Sequence, residues 1–214
     1  MHPSCQSHAT LLSRNVFRQA RCSLRLAFCL CGIILSLILL SPIASCGNPA
    51  SGSSQGSDPA PSGFEIVSAA FKEGAFIPAR FSCQGDNISP ALQWRNPPAG
   101  TRSFALIVDD PDAPAGTWTH WVVFNLPAQI RVMDEDAPKQ DELPDGGLQG
   151  LTSFGRVGYG GPCPPPGEAH RYFFTLYALD AMLNLQSGAS RPTVLAAIKG
   201  HILAEAKLMG RFKR

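Results

Sequence analysis

Three side chains in this sequence combine chemistry with placement. Asp110 closes the run "RSFALIVDD" (102–110), His120 opens "HWVVFNLP" (120–127), and His170 opens "HRYFFTLYALD" (170–180). One carboxylate and two imidazoles can form a hydrogen-bonded rim, hold an anion, or carry acid–base or metal chemistry. Zinc sites usually take three or four ligands at recognisable spacing. Asp110, His120 and His170 make a set of three, but no short-spaced ligand pair strengthens it. No G-x-S-x-G elbow supports a serine hydrolase. "GPCPPPGEAHRY" (161–172) packs four prolines into five residues just before His170. Proline fixes φ and removes the backbone donor, so this stretch is a stiff loop, neither helix nor ordinary strand.

The flanking elements decide whether the three groups can meet. The runs around them alternate and are rich in β-branched and aromatic residues, which reads as strands. Phe104, Leu106, Val108 and Asp110 share one face of the first. His120, Val122, Phe124 and Leu126 share one face of the second, and His170, Tyr172, Phe174, Leu176 and Ala178 one face of the third. If the first two run antiparallel as neighbours, Asp110 and His120 lie at the same end of a sheet, on core-facing positions. Polar groups placed so line a pocket mouth or form a buried pair.

"FEIVSAAF" (64–71) and "FIPARFSC" (76–83) read as early strands around a Lys72-Glu73-Gly74 turn. The Pro-interrupted "ISPALQW" (88–94) reads as an edge strand. Residues 131–160, acidic and then Gly-rich, read as a long surface excursion. Near the C-terminus Val194, Leu195, Ile198, Ile202, Leu208 and Met209 recur at helical spacing, with Ser190 and Pro192 before them and Gly210 after. That predicts one helix of four to five turns with His201 on its face. Several strands without intervening helices predict a mainly β fold, a β-sandwich or barrel, with one helix packed on the sheets.

The first 63 residues have a different character. Arg14, Arg18, Arg21 and Arg25 precede an apolar stretch, "LAFCLCGIILSLILL" (26–40), and then "SPIASC". This is the layout of an export signal, and the apolar stretch is short for a membrane span, which needs about 20 residues. "IASC" (43–46) resembles a bacterial lipobox, which would make Cys46 the lipidated N-terminus of a membrane-anchored lipoprotein facing the extracytoplasmic side of the cell envelope. Residues 47–63, "GNPASGSSQGSDPAPSG", read as a flexible linker. The expected organisation is a signal peptide at 1–45, a lipidated cysteine and linker at 46–63, and a domain at 64–214.

Removing the signal leaves 14 basic and 16 acidic residues, a balance that gives no reason to expect nucleic-acid binding. It also leaves Cys83 and Cys163 beyond Cys46. In an oxidising compartment two cysteines read as one disulfide. The alternative is a free Cys163 near His170 acting as a nucleophile.

"DPDAP" (110–114), "HWVVFNLP", "GYGGPCPPPGEAHRY" (158–172) and "FTLYALD" (174–180) together resemble the phosphatidylethanolamine-binding proteins, also called Raf-kinase-inhibitor-like proteins. "GDNISPALQW" (85–94) and "GHILAEAKLMG" (200–210) resemble their bacterial branch. The resemblance spans about 64–214. It implies an antiparallel β-sandwich with a C-terminal helix and a small anion-binding pocket holding Asp110, His120 and His170. Gly161, Pro164 and Pro165 would form a wall, with Tyr172 next door. It implies no cofactor or metal. The expected partner is a small anion or phosphoryl headgroup, with inhibition of a protease or another protein as the alternative and hydrolysis as a third. Related bacterial sequences often read Asn-Asp-Phe-Gly where this one has Thr152-Ser153-Phe154-Gly155, so the resemblance leaves that loop's geometry open.

Overall fold

A computed structural model describes residues 63–214. The expected signal peptide, the Cys46 lipidation site and all but the end of the linker lie outside the described residues. No helix among the described residues is long and apolar enough to cross a membrane.

Two antiparallel sheets face each other. The smaller has the order β1-β2-β5, from β1 (Glu65–Ser68), β2 (Leu92–Arg95) and β5 (Val132–Met133). The larger has the order β6-β4-β3-β7-β8, from β3 (Ser103–Asp110), β4 (Trp118–Pro127), β6 (Leu148–Gln149), β7 (His170–Leu179) and β8 (Ile202–Phe212). Ile66, Leu92, Trp94 and Met133 of the small sheet pack on Phe104, Leu106, Val108, Phe174 and Leu176 of the large one, forming the inter-sheet core. The far face of the large sheet carries Ala105, Ile107, Val122 and Phe124, covered by Val194 and Ile198 of the helix α1 (Arg191–Ile198). β3 and β4 are therefore buried on both faces, which is why their sequences are almost continuously apolar.

The sandwich is as expected, but several local expectations are corrected. α1 starts where the sequence signals it, with the Ser190 hydroxyl accepting from the Thr193 N–H. It ends after Ile198, where Gly200 at φ +89° turns the chain back. Ile202–Phe212 is then a strand along β7, and the long terminal helix does not exist. Its helical repeat competes with a period-2 pattern, since Ala206, Leu208, Gly210 and Phe212 all face inward. Pairing with β7 along its whole length decides for the strand. His201 sits in the connecting turn, where its Nδ1 meets the Asp180 carboxylate at 2.8 Å.

"FIPARFSC" forms a 3₁₀ turn at Ala79–Phe81 instead of a strand. β2 is the central strand of its sheet, not an edge. The 131–160 excursion contributes β5, β6 and a fully buried Tyr159 whose hydroxyl donates to the Phe81 carbonyl. Cys83 and Cys163 form a disulfide, with Cα atoms 5.4 Å apart across a separation of 80 residues. In the chain-entropy model a loop of that size contributes about 4 kcal/mol.

Gly210 distinguishes strand from helix experimentally. A Cβ there would lie 2.5 Å from Ile77 Cγ1 and 2.8 Å from Phe71 Cε2. Gly210→Val is expected to lower stability in urea denaturation by about 1–3 kcal/mol through overpacking. A helix-terminal glycine would not produce a packing clash of this kind.

Candidate functional site

The β3–β4 connection and the start of β7 meet at one end of the large sheet. Asp110 is 3% exposed. Its Oδ2 accepts from His170 Nδ1 at 2.8 Å, and its Oδ1 accepts from the Asp112 N–H at 2.8 Å. Asp112 in turn accepts from the Arg171 Nε at 2.9 Å, from Nη2 at 2.7 Å and from the Arg171 backbone N–H at 2.9 Å. Two adjacent acid–base pairs thus lash the D-P-D turn to His170-Arg171. A bidentate arginine–carboxylate pair is geometrically specific as well as charge-assisted. Its hydrogen bonds hold the Asp112 carboxyl at about 2, below the ordinary 3.8.

His120 reaches the same place by an irregularity. Val108 pairs with Trp121, but Asp109 pairs with Thr119. His120 is the extra residue of a β-bulge, so His120 and Trp121 both turn toward the inter-sheet side. The His120 ring stands edge-on to Tyr172, with centroids 5.1 Å apart. A second register shift lies between the pairs Phe104–Leu126 and Leu106–Val123, where Asn125 adopts φ +58°. The expected shared face of His120, Val122, Phe124 and Leu126 is therefore corrected. Val122 and Phe124 face α1, while Leu126 packs in the inter-sheet core and His120 turns to that side. Without the bulge, His120 would point away from Asp110.

The tautomer of His120 follows from its partner. Nδ1 lies 2.6 Å from the Gly160 carbonyl oxygen, which can only accept, so Nδ1 carries the proton. Burial pushes the imidazole below its ordinary value, against the opposing pull of the Gly160 carbonyl and Asp110. A neutral ring with Nδ1–H committed leaves Nε2 as a hydrogen-bond acceptor. The Tyr172 hydroxyl is buried beside the Asp110 carboxylate, without a hydrogen bond of good geometry to it. Burial first, then the Asp110 carboxylate, raise its ionisation far above the ordinary phenol range, so it remains an O–H donor.

Asp110, His120 and His170 line one cleft of about 280 Å³ with Ala113, Pro114, Trp118, Phe154, Cys163, Pro164 and Pro165. Pro164 and Pro165 form one side of this cleft. Gly161 stands one layer behind, its N–H donating to Asn87 Oδ1 at 2.7 Å. A Cβ there would collide with the Phe81 carbonyl oxygen, so the position requires glycine for close backbone approach. Tyr172 also lies behind the lining, against His120. The sulfur of Cys163 is bound in the disulfide, so it is not a free thiol beside His170. No three His, Cys, Asp or Glu side chains among the described residues are grouped to hold a metal ion.

The sequence motifs do not mark Trp118 and Phe154 as cleft residues. Phe154 packs edge-on against both Trp118 and His120, at 5.5 and 5.4 Å. The open question of the 152–155 loop is answered by its hydroxyls. Thr152 Oγ1 donates to the Arg156 carbonyl, Ser153 Oγ accepts from the Thr119 N–H, and Phe154 is delivered to the cleft. The spacing of Trp118 two residues before His120 was the available signal for the other aromatic.

A second cleft, of about 300 Å³, is lined by Asp134, Glu135, Asp136 and Asp145 over an apolar floor of Ile130, Met133 and Leu143. Its carboxylates disfavour an anion, and it contains no histidine.

The antiparallel sandwich defines a class of fold, and the comparisons agree with it. The profile described as "Phosphatidylethanolamine-binding protein" matches residues 67–213. A UPF0098 protein of Methanothermobacter thermautotrophicus is 52% identical over 145 residues, covering 68% of this chain and 95% of that protein. One from Aquifex aeolicus is 52% identical over 152 residues, covering 70% and 88%. The crystal structure of a phosphatidylethanolamine-binding protein homologue from Chlamydia trachomatis superposes with a TM-score of 0.66 at 39% identity, covering 72% of this chain and 99% of that one. Escherichia coli YbcL, described as a member of the mammalian family, gives 0.67 at 35% identity, covering 71% and 98%. The chain belongs to the phosphatidylethanolamine-binding protein family.

The Asp112–Arg171 brace has a pH signature. A carboxyl depressed in the folded state stabilises above its unfolded value and loses that contribution as pH falls through the folded one. The wild type should therefore lose stability relative to Asp112→Asn as pH falls from about 4 to about 2. Paired thermal melts across that range check this. Parallel curves would show that the brace does not titrate with folding.

Proposed function

We propose that this protein binds a small anion or phosphoryl headgroup in the cleft formed by Asp110, His120 and His170, and that Cys46 anchors it by lipid outside the cytoplasm. The observation that carries the reading is the pair of imidazoles at one cleft, each with Nδ1 committed to a fixed acceptor and Nε2 left for a ligand. Asp110 orients His170, and the Gly160 carbonyl orients His120. Tyr172, behind the lining, packs its ring edge-on against His120 and so fixes that imidazole's tilt. The walls need no ordering, because prolines pre-set them.

The arrangement also constrains the form of the anion. A neutral His120 offers a lone pair, so an anion enters with a proton. Either the ligand carries one, as a monoprotonated phosphate does, or the imidazole takes one up. An adjacent anion favours the imidazolium, whereas burial in the free protein opposes it. Binding is therefore coupled to proton uptake. Asp110 keeps the positive potential low, so affinity for a bare anion is modest.

Sulfate isolates the protein's own proton, since its charge is constant across the relevant range. Calorimetric titration should show sulfate binding that strengthens as pH falls from about 8 towards 6. Proton uptake should appear as a dependence on the buffer's ionisation enthalpy. His120→Asn and His170→Gln should each weaken binding by about tenfold or more, the scale of one charge-assisted hydrogen bond. Two folded variants that bind sulfate as the wild type does would remove the cleft assignment.

The anchor is tested separately. In a bacterial host that processes lipoproteins, the wild type should partition to membranes and yield a lipid-modified N-terminal peptide beginning at Cys46. Cys46→Ser should be released to the soluble extracytoplasmic fraction. Wild-type protein that is soluble and unmodified would refute the anchor and leave the cleft untouched.

A further inference from the structure

The disulfide is built into the cleft. Cys163 is one of the lining residues, between Pro162 and the wall prolines Pro164 and Pro165. Both half-cystines are exposed residues, unlike the buried Ser82 beside Cys83 and Pro162 and Pro164 beside Cys163. The guanidinium of Arg214 lies at the wall, with Nη1 3.7 Å from Cys163 Sγ. Three consecutive prolines, Pro164 to Pro166, donate no backbone hydrogen bond. The wall is held to the loop beneath it by the Gly161–Asn87 bond, by the Cys83 N–H donating to the Pro162 carbonyl, and by the disulfide.

We propose that Cys83–Cys163 is a thiol–disulfide exchange site in the folded protein, opened by a dithiol reductant at Cys83, and that its redox state controls the cleft wall. The attacking thiolate bonds to Cys83 Sγ and the Cys163 sulfur leaves with the bonding electron pair. The leaving thiolate forms beside the Arg214 cation, which lowers its basicity and makes it the better leaving group. The second thiol of the reductant, as thiolate, then attacks the reductant's sulfur in the mixed disulfide. This releases Cys83 as a thiolate and leaves the reductant as an internal disulfide. Two electrons pass from the dithiol to the protein, and the released thiolates take protons from solvent according to pH. Reduction removes the covalent tie at Cys163, and Pro164 and Pro165 no longer hold their position against His170. The exchange chemistry is independent of the ligand, whereas control of the cleft rests on the anion-site reading above.

The test uses the full chain with an untagged C-terminus in native buffer. Excess glutathione, followed by acid quenching and peptide mass mapping, locates the mixed disulfide. A thioredoxin-like dithiol gives the rate of opening, and sulfate titration compares the oxidised and reduced proteins. The adduct is expected on Cys83, without denaturant. Arg214→Ala should slow opening by about threefold, the change for one unit in the leaving thiol's pKa. Reduced protein should bind sulfate at least about fivefold more weakly. A bond that opens only when denaturant unfolds the chain, or an adduct on Cys163, overturns the exchange proposal. Equal sulfate affinity in the two redox states overturns control of the cleft. If the oxidised protein itself binds no sulfate, the anion-site reading fails, and the adduct position and opening rate alone decide the exchange chemistry.

Discussion

The site depends on one hydrogen bond, that between the Asp110 carboxylate and His170 Nδ1. It joins two elements 60 residues apart in sequence and sets which imidazole nitrogen faces the cleft. Asp110 is almost fully buried, and a buried carboxylate is costly unless it is paired and hydrogen-bonded. His170 and the Asp112 N–H together satisfy it. Next to them Arg171 takes Asp112 in a bidentate grip. The four residues of D-x-D and H-R therefore form one interlocked corner. Breaking either pair leaves a carboxylate, an imidazole or a guanidinium without the partner that justifies its position.

Around that corner the fold supplies rigidity in three ways. β3 and β4 are buried on both faces, so the sheet end that carries Asp110 and His120 cannot shift without disturbing two cores. The bulge at His120 turns two consecutive side chains inward and gives a histidine a place that regular alternation would deny it. The proline wall adds a surface with little conformational freedom left to lose on binding. The titratable groups at the cleft are accordingly few, one carboxylate and two imidazoles, and each is held by a fixed partner.

The helical reading of 194–209 and the strand actually formed show how a local signal loses. Val194, Leu195 and Ile198 continue into Ile202 at helical spacing, and this part of the sequence gives no reason to stop at 198 other than Gly200. The alternation of Ala206, Leu208, Gly210 and Phe212 was present too, but short and interrupted by a glycine. Pairing along the full length of β7 outweighs intrinsic preference, as tertiary context commonly does. Gly210, which looked like a stop, is in place because Ile77 and Phe71 occupy the volume a side chain would need.

What the sequence determined by itself is the architecture and the cast. Period-2 apolar runs in succession point to a β-sandwich or barrel. Asp110, His120 and His170 stand out as polar residues at the ends of those runs, and the two cysteines nearest the domain's loops pair with each other. The tertiary structure decided which way each group faces. His120 belongs to the cleft because a register shift of one residue inverts its side of the sheet, and Phe154 belongs to it because its loop closes over the rim. Neither is visible in spacing, since a bulge is a property of two strands together and a contact between loops depends on where their ends are held.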